Sequence, residues 1–368
     1  MELPQTENYR QLFLDRTPLL DVRAPVEFHQ GAFPGATNFP LLNDDERKAI
    51  GVRYKEEGQK EAVNLGHQLI RGHIKQARVN QWVKFAETNP EGALYCFRGG
   101  LRSRISQQWL YDTTGVIYPR VKGGYKALRR FLITELEQGV EATTPLILSG
   151  RTGVGKTLLL DKLSQKIDLE DIYNHRGSAF GRHVSDQPSQ IDIENQLAIS
   201  LLRFRHQGIK DILIEDEAAN IGSRRIPENL FDKMRSSPVL VLEEELDRRV
   251  DIVFEEYIVR GLQEFRNALG EEEGFAGWAE LMRQSFNKIK KRLGGLRYDR
   301  FVGLLTDALG EHQRVGDASA HKNWIQSLLI EYYDPMYDYQ LSKKTDRLLF
   351  RGTRDEIETF LNNRYSPE

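Results

Sequence analysis

Residues 146–167 constrain the fold of this chain more than any other stretch. The apolar run Leu146-Ile147-Leu148-Ser149 leads into Gly150-Arg151-Thr152-Gly153-Val154-Gly155-Lys156-Thr157, and an apolar-periodic segment follows from Leu158 to Ile167. Strand, glycine-bearing loop and helix in this order satisfy both the Gly-x-x-x-x-Gly-Lys-Thr pattern and the context that gives it meaning. The glycines let backbone N–H groups close around phosphate oxygens, Lys156 neutralises charge, and Thr157 is placed to reach a Mg²⁺ ion. Such a loop belongs at the carboxyl end of a strand in a parallel sheet covered by helices, so the fold class expected is α/β. The eight residues Gly150, Arg151, Thr152, Gly153, Val154, Gly155, Lys156 and Thr157 are read as a diphosphate site. No nucleobase-reading motif accompanies them.

Further features attach to this centre. Asp211-Ile212-Leu213-Ile214-Glu215-Asp216-Glu217 reads as a second buried strand ending in carboxylates, with Glu215, Asp216 or Glu217 as the candidate acid on the metal side. Asn174-His175-Arg176-Gly177-Ser178-Ala179-Phe180-Gly181 is too glycine-rich for a helix and too polar for a core, and His175, Arg176, Gly177 and Ser178 are the candidate substrate loop. Ser237 to Leu242 is a further strand, and from Glu243 onward the pattern is almost entirely helical.

A second centre lies upstream. Ala93-Leu94-Tyr95 delivers Cys96, the one cysteine of the chain, to the loop Phe97-Arg98-Gly99-Gly100-Leu101-Arg102, and a helical segment runs from Ser103 to Tyr111. Two glycines, two arginines and a helix start make a nest of N–H groups that favours an anionic sulfur and a phosphate-sized anion beside it. Cys96 is therefore the candidate catalytic residue, and Phe97 to Arg102 its anion loop. Before it, Leu19 to Arg23 reads as a short strand and 44–88 as charged helices. Asp21, Arg23 and Glu27 read as an ion-pair set holding a strand end to a helix start. After it come a strand over 115–121, a Gly123-Gly124 turn, a helix over 126–138, and a linker over 141–145.

The domain division expected is 1–140, a parallel-sheet domain carrying Cys96; 141–242, the P-loop core; and 243–368, a helical region packed on that core. With 368 residues and net charge −2, the chain's overall charge does not mark it for nucleic acid, so a polyanion site must be a local patch. The patch nominated for RNA is 283–298, with Arg283, Lys288, Lys290, Lys291, Arg292 and Arg297 interleaved with aromatics; a solvated helix face is the plain alternative. Tyr332 to Tyr339 is aromatic-dense and reads first as packing on the P-loop domain, second as base stacking. A single cysteine excludes an internal disulfide and an internal resolving thiol. No apolar run approaches membrane-spanning length and no secretory signal is visible, so a cytoplasmic protein without membrane partners is expected.

Asp21-Val22-Arg23, Glu27-Phe28, Gly31-Ala32-Phe33-Pro34-Gly35-Ala36 and the Cys96 loop resemble a rhodanese domain, whose loop cysteine carries sulfur or a heavier chalcogen. Arginine stands six places after cysteine here, where many rhodanese loops have it at five; a wider ring suits a guest with phosphate-like oxygens. The ordered set Cys-Phe-Arg-Gly-Gly-Leu-Arg-Ser, Gly-Arg-Thr-Gly-Val-Gly-Lys-Thr, Asn-His-Arg-Gly-Ser-Ala-Phe-Gly and Glu-Asp-Glu resembles the tRNA 2-selenouridine synthase family over essentially the whole chain. The resemblance implies an enzyme that replaces the sulfur of wobble 2-thiouridine in tRNA by selenium from selenophosphate, through a Cys96 perselenide. It also implies geranylation of that sulfur from geranyl diphosphate in the P-loop and a selenophosphate-supplying enzyme as partner; no tightly bound cofactor is expected, and the P-loop pattern makes Thr157 the candidate residue for a Mg²⁺. An ATP-dependent sulfur-relay enzyme using a Cys96 persulfide is the alternative, and a nucleotide-switched binding module with an inert Cys96 a third. A phosphatase reading of the cysteine loop lacks a nearby loop acid.

Overall fold

The computed structural model describes residues 2–365. It divides into two compact units: residues up to Glu141 together with Ser189–Gln207, and Ala142–Pro188 together with the chain from Gly208 onward.

The first unit is built on β1 (Gln5–Thr6), β2 (Leu19–Asp21), β3 (Ala36–Asn38), β4 (Ala93–Tyr95) and β5 (Arg120–Val121), in the order β1-β5-β4-β2-β3. Every pairing is parallel. Residues of β2 and β4 are buried throughout, as expected of strands covered by helices on both faces. One face packs Leu20, Leu94, Val79, Trp82, Phe85 and Leu110. On the other, Phe33 sits among the rings of Phe13, Tyr95 and Tyr125. Helix Gln190–His206, which follows the P-loop in sequence, belongs here. Arg129 donates to Asn195, Asn195 donates to the Ala32 carbonyl, and Arg203 donates to the Phe13 carbonyl.

The strand expected over 115–121 is confined to Arg120–Val121. Gly115, at φ +70°, caps helix Leu101–Thr114, and Val116 and Ile117 lie exposed before Pro119, which has no N–H to give a ladder. The linker expected over 141–145 also shrinks. Helix Gly124–Ala142 runs up to a single residue, Thr143, before the next strand begins.

The second unit holds β6 (Thr144–Ser149), β7 (Lys166–Ile167), β8 (Asp211–Glu215), a small antiparallel pair β9 (Asn220–Ile221) and β10 (Arg224–Arg225), then β11 (Val239–Leu242) and β12 (Leu348–Gly352). Its main sheet runs β12-β11-β6-β8-β7, all parallel, with β6 central. The helix expected over 158–167 is shorter: it spans Lys156–Leu160, and Lys166–Ile167 pairs with β8 as an edge strand. A short apolar run satisfies a helix face or a sheet edge equally well, and here the edge pairing wins.

The region after Leu242 is helical apart from β12, a strand that the helical pattern of the sequence conceals. Its own core gathers Trp278, Phe286, Phe301, Leu305, Trp324 and Ile325. Two π-helical turns interrupt it, Phe254–Arg260 and Leu329–Tyr333. Among the described residues, no helix is long and apolar enough to cross a membrane.

Candidate functional site

The parallel register places Asp21 beside Tyr95, so the chain leaves β2 and β4 at the same edge and Cys96 emerges next to Val22. The Cys96 thiol is buried, 3% exposed, and donates to Ser103 Oγ at 3.2 Å; that hydroxyl donates in turn to the Gly100 carbonyl at 3.0 Å. The Gly123-Gly124 turn holds the loop from behind, with Tyr125 N–H donating to Cys96 O (2.9 Å) and Lys126 N–H to Phe97 O (3.0 Å). A Cβ on Gly124, at φ +59°, would lie 2.1 Å from the Cys96 carbonyl oxygen, so only glycine allows this approach. Phe97 stacks on Tyr125, and Leu101 begins the helix whose first turn carries Arg102.

The charges around the sulfur differ from those the sequence pattern suggests. Arg98 points to solvent. Arg102 and Arg120 are guanidinium groups whose charge reaches Cys96. Arg102 is already engaged with Glu27, through hydrogen bonds of 2.5 and 3.0 Å. Arg120, on β5, is buried and donates to the Gly99 carbonyl at 2.9 Å. The sequence puts Arg120 on a strand but not beside the cysteine loop; the parallel pairing of β5 with β4, Arg120 opposite Leu94, decides that. Asp21 and Arg23 form the expected buried pair at 2.6 Å, with Arg23 stacked over Tyr125. Glu27 does not join that pair; it binds Arg102 and Arg47.

In the second unit, residues from several segments line one cleft of about 1590 Å³. Thr152, Gly153, Gly155, Lys156 and Thr157 of the P-loop are among them. Val154 is instead buried in the sheet core, and Arg151 turns outward to Asp338, with hydrogen bonds of 2.7 to 3.0 Å. Burial works to lower the Lys156 ammonium's pKa, but Tyr337, Glu170, Glu215 and Glu217 around it raise it on balance, so the charge is held.

The acidic run splits three ways. Glu215 is fully buried and accepts from Glu170 N–H at 3.2 Å, leaving Oε1 without a hydrogen-bond partner. Asp216 accepts from Ser149 Oγ at 2.5 Å and pairs with Lys344. Glu217 lines the cleft, close against Gly177. Burial first, then neighbouring acidic groups, push the carboxyls of Glu215 and Glu170 above their usual range, and burial raises Glu217 as well. Among the described residues, no group of three or more His, Cys, Asp or Glu side chains is arranged to hold a metal ion.

Of the candidate substrate loop, Arg176, Gly177 and Ser178 line the cleft, whereas His175 is buried behind it against the Gly222 turn. Burial, then Lys288 and His183, lowers His175 to about 4, so it is neutral. Arg176 is pinned by Glu256 and Glu264, and Ser178 Oγ donates to Tyr257 Oη at 3.1 Å. Both π-helical turns contribute to the cleft, one with Glu256 and Tyr257, the other with Tyr332 and Tyr333. The aromatic segment 332–339 thus packs on the P-loop, and its Met336 and Tyr337 form part of the cleft wall. Asp334 receives two hydrogen bonds from buried Arg249, which also donates to the Thr152 carbonyl at 2.9 Å.

The basic stretch lies on helix Glu271–Leu293 and the start of helix Gly295–Val315. Met282, Phe286, Ile289 and Leu293 face the core, and Arg283, Lys288, Lys290, Lys291, Arg292 and Arg297 are exposed. Arg297 is tied to the Leu293 carbonyl, Arg283 pairs loosely with Glu280, and Lys290 lies over the Tyr298 ring. Arg292 also lines the P-loop cleft, so the patch and the cleft adjoin.

Residues 143–367 match the family model described as the tRNA 2-selenouridine synthase AAA domain. Proteins named tRNA 2-selenouridine synthase from Marinobacter nauticus and Pseudomonas syringae are each 48% identical, the first over 99% of both chains and the second over 98% of both. One from Hahella chejuensis is 52% identical over 96% of this chain and 93% of its own. This chain belongs to the tRNA 2-selenouridine synthase family. The family model spans the P-loop, the acidic run, residues 175–178 and the basic patch. Cys96 lies outside it, but within the near full-length similarity to the family's members.

Proposed function

We propose that the protein replaces the sulfur of 2-thiouridine at the wobble position of tRNA by selenium, through an S-geranyl intermediate. The observation that carries the reading is the cleft itself. The phosphate-binding residues Lys156 and Thr157 share it with an apolar wall of Phe254, Ile289, Tyr332, Met336 and Tyr337. A diphosphate carrying an apolar chain has both halves matched there.

In the first step the thiocarbonyl sulfur attacks C1 of the geranyl chain. The C–O bond breaks, diphosphate leaves with the bonding electrons, and the N3 proton is lost. Backbone N–H groups of the loop and Lys156 stabilise the charge that develops on the leaving group. Thr157 would hold a Mg²⁺, with Asp216 of the same cleft as the acid on that side. When bound it would supply further charge neutralisation.

Alkylation makes a thiol leaving group of a sulfur that leaves poorly as a thiocarbonyl. Selenium then enters at C2 and geranylthiol departs. The Cys96 loop, with its buried thiol, the Ser103 hydroxyl and Arg120, supports selenophosphate as the guest and Cys96 as the acceptor of selenium. Electron count constrains this relay. A perselenide is two electrons more oxidised than thiolate plus selenide. It therefore forms from selenophosphate only with phosphorus leaving as phosphite, and it discharges only with a second thiol reducing the Se–S bond. Selenium delivered directly at the selenide level releases phosphate instead. The exposed patch at Lys288, Lys290, Lys291 and Arg292 supports an RNA backbone beside the cleft.

The test is mass spectrometry of wobble nucleosides after incubating 2-thiolated tRNA with geranyl diphosphate and then selenophosphate, with ³¹P NMR of the products. Geranylthio-uridine followed by seleno-uridine is expected. Phosphite marks the perselenide route, and phosphate marks direct delivery. Unchanged 2-thiouridine with folded protein overturns the reading, and ATP consumption dependent on Lys156 would replace it with a sulfur relay.

A further inference from the structure

One lysine of the P-loop cleft has no part in that mechanism. Lys344 lies between helix Asp334–Ser342 and β12, and its side chain is 19% exposed. It lines the same cleft as Lys156 and Thr157. Its ammonium pairs with Asp216 Oδ2, the oxygen that also accepts from Ser149 Oγ at the end of β6. Glu217, the next residue, lines that cleft together with Lys156 and Lys344.

Two other cations of the same connection, Lys343 and Arg347, are committed elsewhere. Lys343 Nζ sits 4.0 Å over the Tyr339 ring. Arg347 donates to the carbonyls of Met234 and Ser237, at 3.3 and 2.6 Å. Lys344 is therefore the cation that this connection sends to the acid beside the P-loop.

A departing diphosphate gathers more negative charge than a single lysine neutralises. Cations already in position lower the barrier without reorganising at the moment of reaction. An ammonium held on a carboxylate is available for this role, since its transfer to a phosphate oxygen as the diphosphate binds, before the reaction, exchanges one charge-assisted hydrogen bond for another.

We infer that Lys344 is a second cation for the diphosphate held in the P-loop, forming with Lys156 a two-lysine clamp on the leaving group. The inference rests on the diphosphate reading of the cleft given above.

Calorimetric titration of the full chain with inorganic diphosphate and with geranyl diphosphate, in EDTA and without Mg²⁺ so that Asp216 acts on Lys344 alone, tests it. Lys344→Met is expected to weaken both affinities about 10- to 100-fold, the range of a charge-assisted hydrogen bond. Lys343→Met should stay within about twofold of wild type, and Lys344→Arg should retain most of the affinity. The double variant Lys344→Met/Asp216→Asn leaves no unpaired acid; it is expected to melt near wild type and still bind weakly. Wild-type affinity in Lys344→Met, or its recovery in the double variant, overturns the inference alone and leaves Lys344 as a partner of Asp216. Absence of diphosphate binding by the wild-type chain overturns the cleft reading and the inference together.

Discussion

Arg102 reaches back from the helix after the cysteine loop to Glu27, Nη1 to Oε2 at 2.5 Å and Nη2 to Oε1 at 3.0 Å. The Cys-x5-Arg spacing suggests an arginine closing a ring around an anion. The pairing shows that much of this guanidinium is committed to bracing the loop against the helix that follows β2. Glu27 also accepts from Ala24 N–H, so one carboxylate holds both a helix start and the cysteine loop.

Glu27→Gln should therefore cost stability and selenium transfer together. A half-buried arginine loses its charged partner, for which about 1–3 kcal/mol is expected in urea denaturation. Geranylation should change little. Loss of geranylation equal to the loss of selenation would refute the assignment of Glu27 to the cysteine loop alone.

Cys96→Ser should abolish selenium incorporation and spare formation of geranylthio-uridine, while Lys156→Ala should stop geranylation. Supplying chemically geranylated tRNA should restore selenation in Lys156→Ala. Nucleoside mass spectrometry reads all three; equal loss of both activities in folded Cys96→Ser would contradict a division of labour between the centres.

His321 sits in the helical core, fully buried, and accepts at Nδ1 from Trp324 Nε1 at 2.9 Å. Burial, then His312, lowers its pKa from 6.5 to about 4. The neutral form is the native one, so this group's contribution to stability is fully present above about pH 6.5 and is lost as the pH falls through 4. Melting followed across that window should show a fall in Tm that flattens in His321→Gln, a variant that keeps an acceptor for Trp324.

Neutralising Lys290 and Lys291 should weaken tRNA binding at low salt and reduce the slope of log K against log salt by about 0.7–0.9 for each phosphate left without its lysine. Diphosphate affinity should be unchanged. An unaltered salt slope, measured by filter binding, would leave those lysines as a solvated helix face.

The P-loop is legible in the sequence because it is local: strand, glycines, lysine and threonine are consecutive, and backbone geometry dictates their order. The same holds for β4 and the Cys96 loop. What misleads is equally local. Leu158–Ile167 carries an apolar pattern open to helix or edge strand, and pairing with β8, more than forty residues away in sequence, decides it. Glu215, Asp216 and Glu217 are indistinguishable as a run. The strand's end turns them toward the Glu170 amide, toward Ser149 with Lys344, and toward the cleft.

By itself, then, the sequence determined the strand-loop-helix chemistry of both centres and the parallel α/β class, because short-range sterics and hydrogen bonding suffice for those. Tertiary structure alone decided which distant side chains complete each centre. Arg120 reached the Gly99 carbonyl of the cysteine loop through the register of β5, helix Gln190–His206 returned to the first unit, and the approach to β12 brought Lys344 to Asp216. Such pairings depend on burial and strand order, which act between residues far apart along the chain.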